Sequence, residues 1–200
     1  MTDAETERET ETAMGLRARL VDVGVDLVAT EGVPALTLRE IARRAGVSHG
    51  APRRYFPTHL ELLSAIARRG FEDLSARAAE AVGDGTAHPR DQLTALGRAY
   101  LDFAFTHRGM HELMFRHDLL ASGHLGLRET SLPLFSLLAG LVGRARPDAD
   151  ARLVAASLLA NLHGLAQLWS WGSLQLATGA EDFAPLLDAA LDAHLGPEKR

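Results

Sequence analysis

The chain has 200 residues and a formal net charge of −5, and its 46% hydrophobic and 24% charged residues are typical of a globular protein of one or two small domains. Cysteine is absent, which excludes disulfide bridges and thiolate metal sites. Residues 1–14 are acidic and rich in threonine, without the basic and apolar regions of a secretory signal, so we expect a disordered leader and a cytoplasmic protein.

Helix-forming residues dominate the rest of the chain and alternating strand patterns do not occur, which predicts an all-α fold. We expect a three-helix N-terminal domain over residues 15–63, followed by a C-terminal helical bundle over residues 84–200. The run that comes closest to a membrane span, Leu153 to Leu168, is interrupted by polar residues and is too short, so it predicts a buried helix and no membrane partner. The helices are predicted at about 15–30, 37–45, 48–56, 59–82, 90–107, 110–117, 125–146, 148–177 and 181–194.

Two of these helices begin with a capping signature. Thr37 is followed three residues later by Glu40, and Thr58 by Glu61, the spacing at which a threonine and a glutamate close the first turn of a helix. Gly46 makes the turn that follows the second helix, and Ser48 is the expected N-cap of the third. The segment from Gly83 to Pro89 is the clearest break in the chain, and we place the boundary between the two functional parts there.

The segment from Leu36 to Leu63 has an excess of cationic side chains within an acidic protein. Five arginines stand there against Glu40 at the start of the second helix: Arg39, Arg43, Arg44, Arg53 and Arg54. Two short helices around a tight turn form a helix-turn-helix, which places its second helix in the DNA major groove. A solvated, arginine-rich helical hairpin without a DNA role is the rival interpretation.

The helix-turn-helix geometry assigns roles to individual residues. Small or polar residues at the start of the third helix leave room for base edges, and the two arginines after them suit phosphates or guanine. Helices two and four also present backbone amides to phosphates at their first turns. The hydrophobic centre is expected from Leu38, Ile41, Val47 and Phe56. The candidate DNA contacts are Thr37, Leu38, Arg39, Ser48, His49, Gly50, Ala51, Arg53, Arg54, Tyr55 and His59.

Residues 16–63 resemble the DNA-binding domain of the TetR family of bacterial transcriptional regulators. The resemblance is carried by Glu31-Gly32, by the run Thr37 to Ala42, by Ala45 to Ser48 and by Tyr55-Phe56. It implies contacts to an operator in double-stranded DNA, a homodimer, and a C-terminal domain that binds a small-molecule effector of unknown identity. Two residues depart from the pattern: His59 stands where the family usually has lysine, and Pro52 lies early in the recognition helix.

The C-terminal half resembles a subgroup of that family with a Trp-His-Gly type signature, through the run Asn161 to Leu168. In the family the last two long helices of each subunit form the dimer interface. In this chain they correspond to the predicted helices 148–177 and 181–194. An effector pocket needs apolar walls and a few polar groups. The candidate lining residues are Tyr100, Phe103, Met110, Met114, Phe115, Phe135, His163, Gln167 and Trp169, although such residues at helical spacing also suit a plain core.

Other chemistries have weaker support in the sequence. His107, His111 and His117 invite a metal site, but Gly109 weakens the helix that would align the first two, so we expect neither a metal nor another cofactor. Nucleophile-elbow, phosphate-loop and zinc-protease motifs are absent, so an enzyme is not expected. The sequence thus predicts a ligand-released, dimeric repressor. The alternatives are an effector-independent or activating regulator, and a helical enzyme or interaction protein without a DNA role.

Overall fold

The computed structural model describes the backbone of residues 3–196 and the side chains of residues 15–196, and in that part of the chain every regular element is a helix. The all-α prediction is confirmed. Two short 3-10 helices, Val33–Ala35 and His124–Gly126, accompany eleven α-helices in the described residues. These are α1 (Asp3–Glu31), α2 (Leu38–Arg44), α3 (Pro52–Tyr55), α4 (His59–Val82), α5 (Pro89–Thr106), α6 (Arg108–Met114), α7 (His117–Ser122), α8 (Leu127–Ala145), α9 (Ala151–Ser170), α10 (Ser173–Thr178) and α11 (Ala184–Leu195).

The contacts divide the chain into two units, and the division does not follow the Gly83–Pro89 break. The first unit contains the residues up to Phe71 together with Gly109–Arg128, and the second contains Glu72–Arg108 and the residues from Glu129 onwards. Helix α4 contributes to both units. The chain therefore returns to the helix-turn-helix unit after α5, because α6 and α7 bury residues such as Leu113 and Leu119 there.

In the first unit, α1 is longer than the sequence predicts. The helix begins at Asp3, so the expectation of a disordered leader over residues 1–14 is wrong for the backbone of residues 3–14. Residues 1 and 2, and the side chains of residues 3–14, lie outside the described part of the chain.

In the second unit, α5, α9 and α11 pack on one another and form its core. The predicted helix 148–177 is divided, because Gly172 adopts a left-handed conformation with φ of 76° that separates α9 from α10. Pro133 lies inside α8. The predicted helix 110–117 corresponds to α6, which ends at Met114. Helix α7 follows in a stretch for which the sequence predicts no helix.

One segment, His124–Ala145, is long and apolar enough to cross a membrane by length and composition alone. It differs from Leu153 to Leu168, the run that the sequence pattern indicates as closest to a membrane span. Between Glu129 and Arg144 this segment has no charged residue, which accounts for its apolar character. A single such helix is weak evidence for a span, since helices of soluble proteins can be equally long and apolar.

Candidate nucleic-acid interface

Helix α2 begins as its sequence predicts. The Thr37 hydroxyl oxygen accepts a hydrogen bond from the backbone N–H of Glu40 at 3.2 Å, which satisfies one of the free donors of the first turn. The second half of the predicted capping box is wrong, because the Glu40 carboxylate binds Arg43 and Arg44 instead of reaching back to Thr37. The Thr58 hydroxyl caps α4 in the same way, at 3.1 Å from the Glu61 N–H.

The turn between α2 and α3 depends on Gly46. Its φ of 67° lies in the left-handed region, which glycine adopts without steric strain. Just after this residue, the Val47 N–H donates to the Ala42 carbonyl at 3.0 Å, which closes the end of α2. Gly46 therefore redirects the chain towards α3, as expected for a helix-turn-helix.

Helix α3 begins later than predicted. Ser48 is not its N-cap: the helix starts at Pro52, and Ala51 precedes it without a side-chain cap. Proline has no N–H, so the helical bond from residue 52 to the Ser48 carbonyl cannot form. The Ala51 N–H bonds that carbonyl instead, at 2.9 Å, in a separate turn. Ser48, His49 and Gly50 therefore lie on an exposed turn ahead of the helix.

All eleven candidate DNA contacts reach the surface of the first unit. Leu38, Ala51 and Tyr55 are half-buried. The other eight are exposed: Thr37, Arg39, Ser48, His49, Gly50, Arg53, Arg54 and His59. The α2–α3 segment therefore offers hydroxyls, backbone amides and guanidinium groups on one short stretch of chain, the donors that phosphates and base edges accept.

The five arginines of this segment fall into two groups. Arg43 and Arg44 form ion pairs with Glu40, and Arg44 also pairs with Glu31 at the end of α1. The hydrogen bonds from Arg43, and then those from Arg44, lower the pKa of Glu40 to about 2. The remaining three arginines, Arg39, Arg53 and Arg54, are exposed and form no ion pair within the described residues, so their charge is available to a polyanion.

His59, at the start of α4, has a partner within the first unit. Its Nε2 lies at hydrogen-bond distance from the Leu36 carbonyl oxygen. A carbonyl only accepts, so Nε2 must carry the proton, which leaves Nδ1 as the ring atom that faces other groups. The role of His59 as a DNA contact stays a prediction, and the bond adds a second role, which is to hold the start of α4 against the segment before α2.

The hydrophobic centre under this surface differs in part from the prediction. Ile41 and Phe56 are fully buried, whereas Leu38 and Val47 are only half-buried. The guanidinium carbon of Arg17 lies 4.8 Å from the centre of the Phe56 ring, a cation–π contact that sequence spacing does not reveal. Phe56 ends α3 and packs into the core, so it fixes the position of that helix.

The candidate pocket residues do not belong to one unit. Met110, Met114 and Phe115 lie in the first unit, where the Phe115 ring is 5.8 Å from Phe71. They therefore lie in the same unit as the helix-turn-helix, and their role as pocket residues stays a prediction. The sequence could not show this because α6 joins that unit only through long-range packing.

The other six candidates lie in the second unit: Tyr100, Phe103, Phe135, His163, Gln167 and Trp169. The Tyr100 hydroxyl is 2.9 Å from Nδ1 of His163, and burial lowers the pKa of His163, which favours its neutral form. Burial also raises the pKa of Tyr100. The protein thus holds a neutral, hydrogen-bonded polar pair among apolar side chains.

Trp169 belongs to an aromatic cluster that its sequence neighbours do not indicate. Its ring centre is 6.3 Å from that of Phe105 and 6.3 Å from that of Phe183, and these two rings are 5.2 Å apart. The two phenylalanines are distant in sequence, so no local pattern predicts their contact.

The three histidines that invite a metal site have different surroundings. His107 stacks on Phe103 after the end of α5, His111 is buried in the first unit, and His117 begins α7 on the surface. Among the described residues no three His, Cys, Asp or Glu side chains group as metal ligands would.

An exposed helix-turn-helix with available arginines, joined to a helical domain, defines a DNA-binding transcriptional regulator. Residues 20–66 match the family model of the bacterial regulatory proteins of the tetR family. Residues 93–194 match the model of the tetracyclin repressor-like C-terminal domain. The chain belongs to the TetR family, whose members are transcriptional regulators and not enzymes and bind DNA operators as dimers.

Individual relatives and solved structures are similar to most of this chain. The chain is 30% identical over 188 residues to the HTH-type transcriptional regulator BetI of Burkholderia ambifaria (strain MC40-6), covering 88% of this chain and 90% of the relative. A protein of unknown function from Rhodococcus sp. RHA1 is 30% identical, with a TM-score of 0.76 over 90% of this chain and 93% of that one. BioQ, solved with its double-stranded DNA operator, is 22% identical with a TM-score of 0.63, covering 90% and 98%.

Proposed function

We propose that this regulator is a cytoplasmic repressor that binds a palindromic operator as a homodimer and leaves it when an effector binds the C-terminal domain. The observation that carries the DNA contact is the exposed set Arg39, Arg53 and Arg54 around the α2–α3 turn. Two copies of α3 would enter successive major grooves about 34–36 Å apart, or a multiple of that distance. The operator-bound structure of BioQ, which has the same fold, supports this arrangement.

The dimer surface is proposed on α9 and α11. Helix α9 has no charged residue from Leu153 to Ser170, yet Leu153 is 66% exposed and Leu168 is 39% exposed. An apolar helix face that is exposed in one subunit is expected to be covered in an assembly. A Cβ added at Gly164 would meet no atom within 4 Å, so this position leaves room for the partner helix. The outer side of α11 adds the small residues Ala189 and Ala193.

The dimer is tested with an arginine placed in each of two open helical positions. Gly164→Arg should weaken the dimer in sedimentation experiments, because a charge would be buried at the interface. Gly140→Arg is the matched control, since a Cβ at Gly140 in α8 also meets no atom within 4 Å. Equal effects of the two variants on the dimer would contradict the assignment of α9.

The effector site is proposed in the second unit around the Tyr100–His163 pair. The pair supplies a polar group, and Phe103, Phe135 and Trp169 supply apolar surface, the composition expected of a small-molecule site. The effector would favour a state in which the two α3 helices do not match the operator spacing, so effector and DNA weaken each other's binding. Helix α4 would transmit this change because it contributes to both units.

The DNA surface is tested by salt-dependent binding. DNA fragments are first selected from a random pool, and the affinity of Arg39→Ala and Arg53→Ala is then measured between roughly 50 and 200 mM salt, a range over which phosphate contacts change affinity strongly. Removal of one phosphate contact from each subunit should reduce the slope of log K against log salt by about 2. If Arg53 instead contacts guanine, its removal costs about 1–3 kcal/mol at the preferred site. Arg98→Ala, an exposed arginine in α5, is the control.

The regulatory direction is tested with a reporter gene behind the selected operator. A repressor should lower expression, and a compound that releases the protein from DNA should restore it. An activator would raise expression, and an effector-independent regulator would show no release from DNA with any compound screened. The first result would contradict repression, and the second would contradict release by an effector. Membership of the Trp-His-Gly type subgroup stays a prediction.

A further inference from the structure

Helix α2 holds one carboxylate beside two guanidinium groups on the proposed DNA surface. Glu40 Oε2 accepts from Nε of Arg43 at 2.9 Å and Glu40 Oε1 accepts from its Nη2 at 2.5 Å, so the pair is bidentate. The same Oε1 accepts from Nε of Arg44 at 2.8 Å, and Arg44 also donates to Glu31. This arrangement is the one that a phosphate group would take between two arginines.

Arg43 lies on the side of α2 that faces the proposed DNA contacts. It follows Arg39 by four positions, and residues four apart are neighbours on one face of a helix. The side chain of Arg43 is 62% exposed, and among the described residues Glu40 is its only ion-pair partner. Arg44 is less available, because its side chain is 33% exposed and two carboxylates hold it.

We propose that Glu40 acts as an internal phosphate mimic that withholds Arg43 from the DNA backbone and so limits binding to non-operator DNA. The phosphate contacts of the segment then come from Arg39, Arg53 and Arg54. This inference rests on the proposed DNA surface. Sequence-independent affinity arises almost entirely from neutralised phosphates, so one arginine fewer per subunit weakens binding to every sequence. Glu40 remains ionised in neutral solution, because its pKa is about 2.

The test uses a mixed-sequence duplex of about 30 bp, a length of roughly three helical turns, so that no operator is needed. Glu40→Gln keeps the backbone N–H that Thr37 caps, and Glu31 still pairs with Arg44, so Arg43 is the arginine released. Two released arginines per dimer should steepen the salt slope by about 2 and raise affinity at roughly 0.1 M salt by about 10- to 60-fold.

The control separates the release of arginine from the removal of a negative charge. Glu61→Gln removes a carboxylate from the first turn of α4, where it accepts from the Thr58 hydroxyl and forms no ion pair within the described residues. It should change affinity for the duplex much less than Glu40→Gln does. Glu40→Gln with Arg43→Ala should return the slope to that of the unmodified protein.

Arg43→Ala alone gives a second, independent measurement. It should leave the salt slope unchanged, whereas Arg39→Ala should reduce it by about 2. The inference is overturned if Glu40→Gln behaves as Glu61→Gln does, or if Arg43→Ala reduces the slope as Arg39→Ala does. Failure of the proposed DNA surface looks different: Arg39→Ala and Arg53→Ala would then both bind the duplex as tightly as the unmodified protein.

Discussion

Gly109→Ala tests how closely α6 approaches α1 in the helix-turn-helix unit. A Cβ at position 109 would lie 2.4 Å from the backbone carbonyl oxygen of Val28 and 3.3 Å from Cα of Gly32. The Val28 carbonyl also accepts the Gly32 N–H at the end of α1, so it cannot move without disturbing that helix. An added methyl group must therefore displace α6.

The expected change in the free energy of unfolding is the balance of two opposing effects. Alanine in a helix is favoured over glycine by about 1 kcal/mol. A clash with packed backbone costs about 1–3 kcal/mol, and here the atom in the way is main chain, which places the cost at the upper end. We expect a net destabilisation of about 1–2 kcal/mol and a decrease in Tm of about 2–8 °C.

The assay is thermal unfolding followed by circular dichroism, with Gly140→Ala as the control. A Cβ at Gly140 meets no atom within 4 Å, so only the helical preference remains and Tm should rise by about 2–4 °C. Changes in Tm of opposite sign for the two Gly→Ala substitutions would indicate the close approach of α6 to α1 at Gly109. If Gly109→Ala raises Tm as Gly140→Ala does, the packing of α6 on α1 is refuted.

Three further outcomes are expected. Ser64→Ala should stabilise the protein by about 1 kcal/mol in urea unfolding, because the fully buried Oγ has no hydrogen-bond partner among the described residues. Gln92→Leu should lower the free energy of unfolding by about 1–3 kcal/mol, because Gln92 donates to the Val82 carbonyl at 3.2 Å and accepts from Arg144 at 2.9 Å. An unchanged midpoint of urea unfolding would contradict these hydrogen bonds. His163 has a lowered pKa when folded, so below its ordinary value of 6.5 the unfolded chain takes up a proton that the folded protein does not, and stability falls as the pH decreases towards the folded pKa. His163→Gln should therefore show a smaller decrease in Tm between pH values of about 7.5 and 5.5, roughly one unit either side of the ordinary histidine pKa. An equal decrease in Tm for the variant and the unmodified protein would refute the lowered pKa of His163.

Features that depend on a few neighbouring residues could be predicted from the sequence. The Thr37 and Thr58 caps and the bounds of α4 were confirmed, because a cap needs only an oxygen and an N–H three residues apart. The N-cap of α3 was wrong although the signal was present, because the missing N–H of Pro52 decides where the helix begins. The start of each of these helices is therefore decided by residues within about one turn of it.

Features that depend on partners distant in sequence could not be predicted. The Glu31 carboxylate pairs with Arg44 across 13 positions, a contact that no local pattern in the sequence indicates. Likewise the contact of Met110 and Met114 with Gly70 joins segments about 40 residues apart in the chain, and no local pattern indicates it. Hydrophobic character shows that a residue is buried, not which residues surround it.

The amino-acid order alone determined the helical class, the helix-turn-helix and the family, because periodicity, caps and turn residues act over one or two turns of chain. Tertiary structure decided that Arg44 also pairs with Glu31, which unit receives α6 and α7, and that Tyr100 contacts His163. The physical reason is that charge pairing and burial are properties of three-dimensional neighbourhoods, and loop closure can bring any two segments of the chain together.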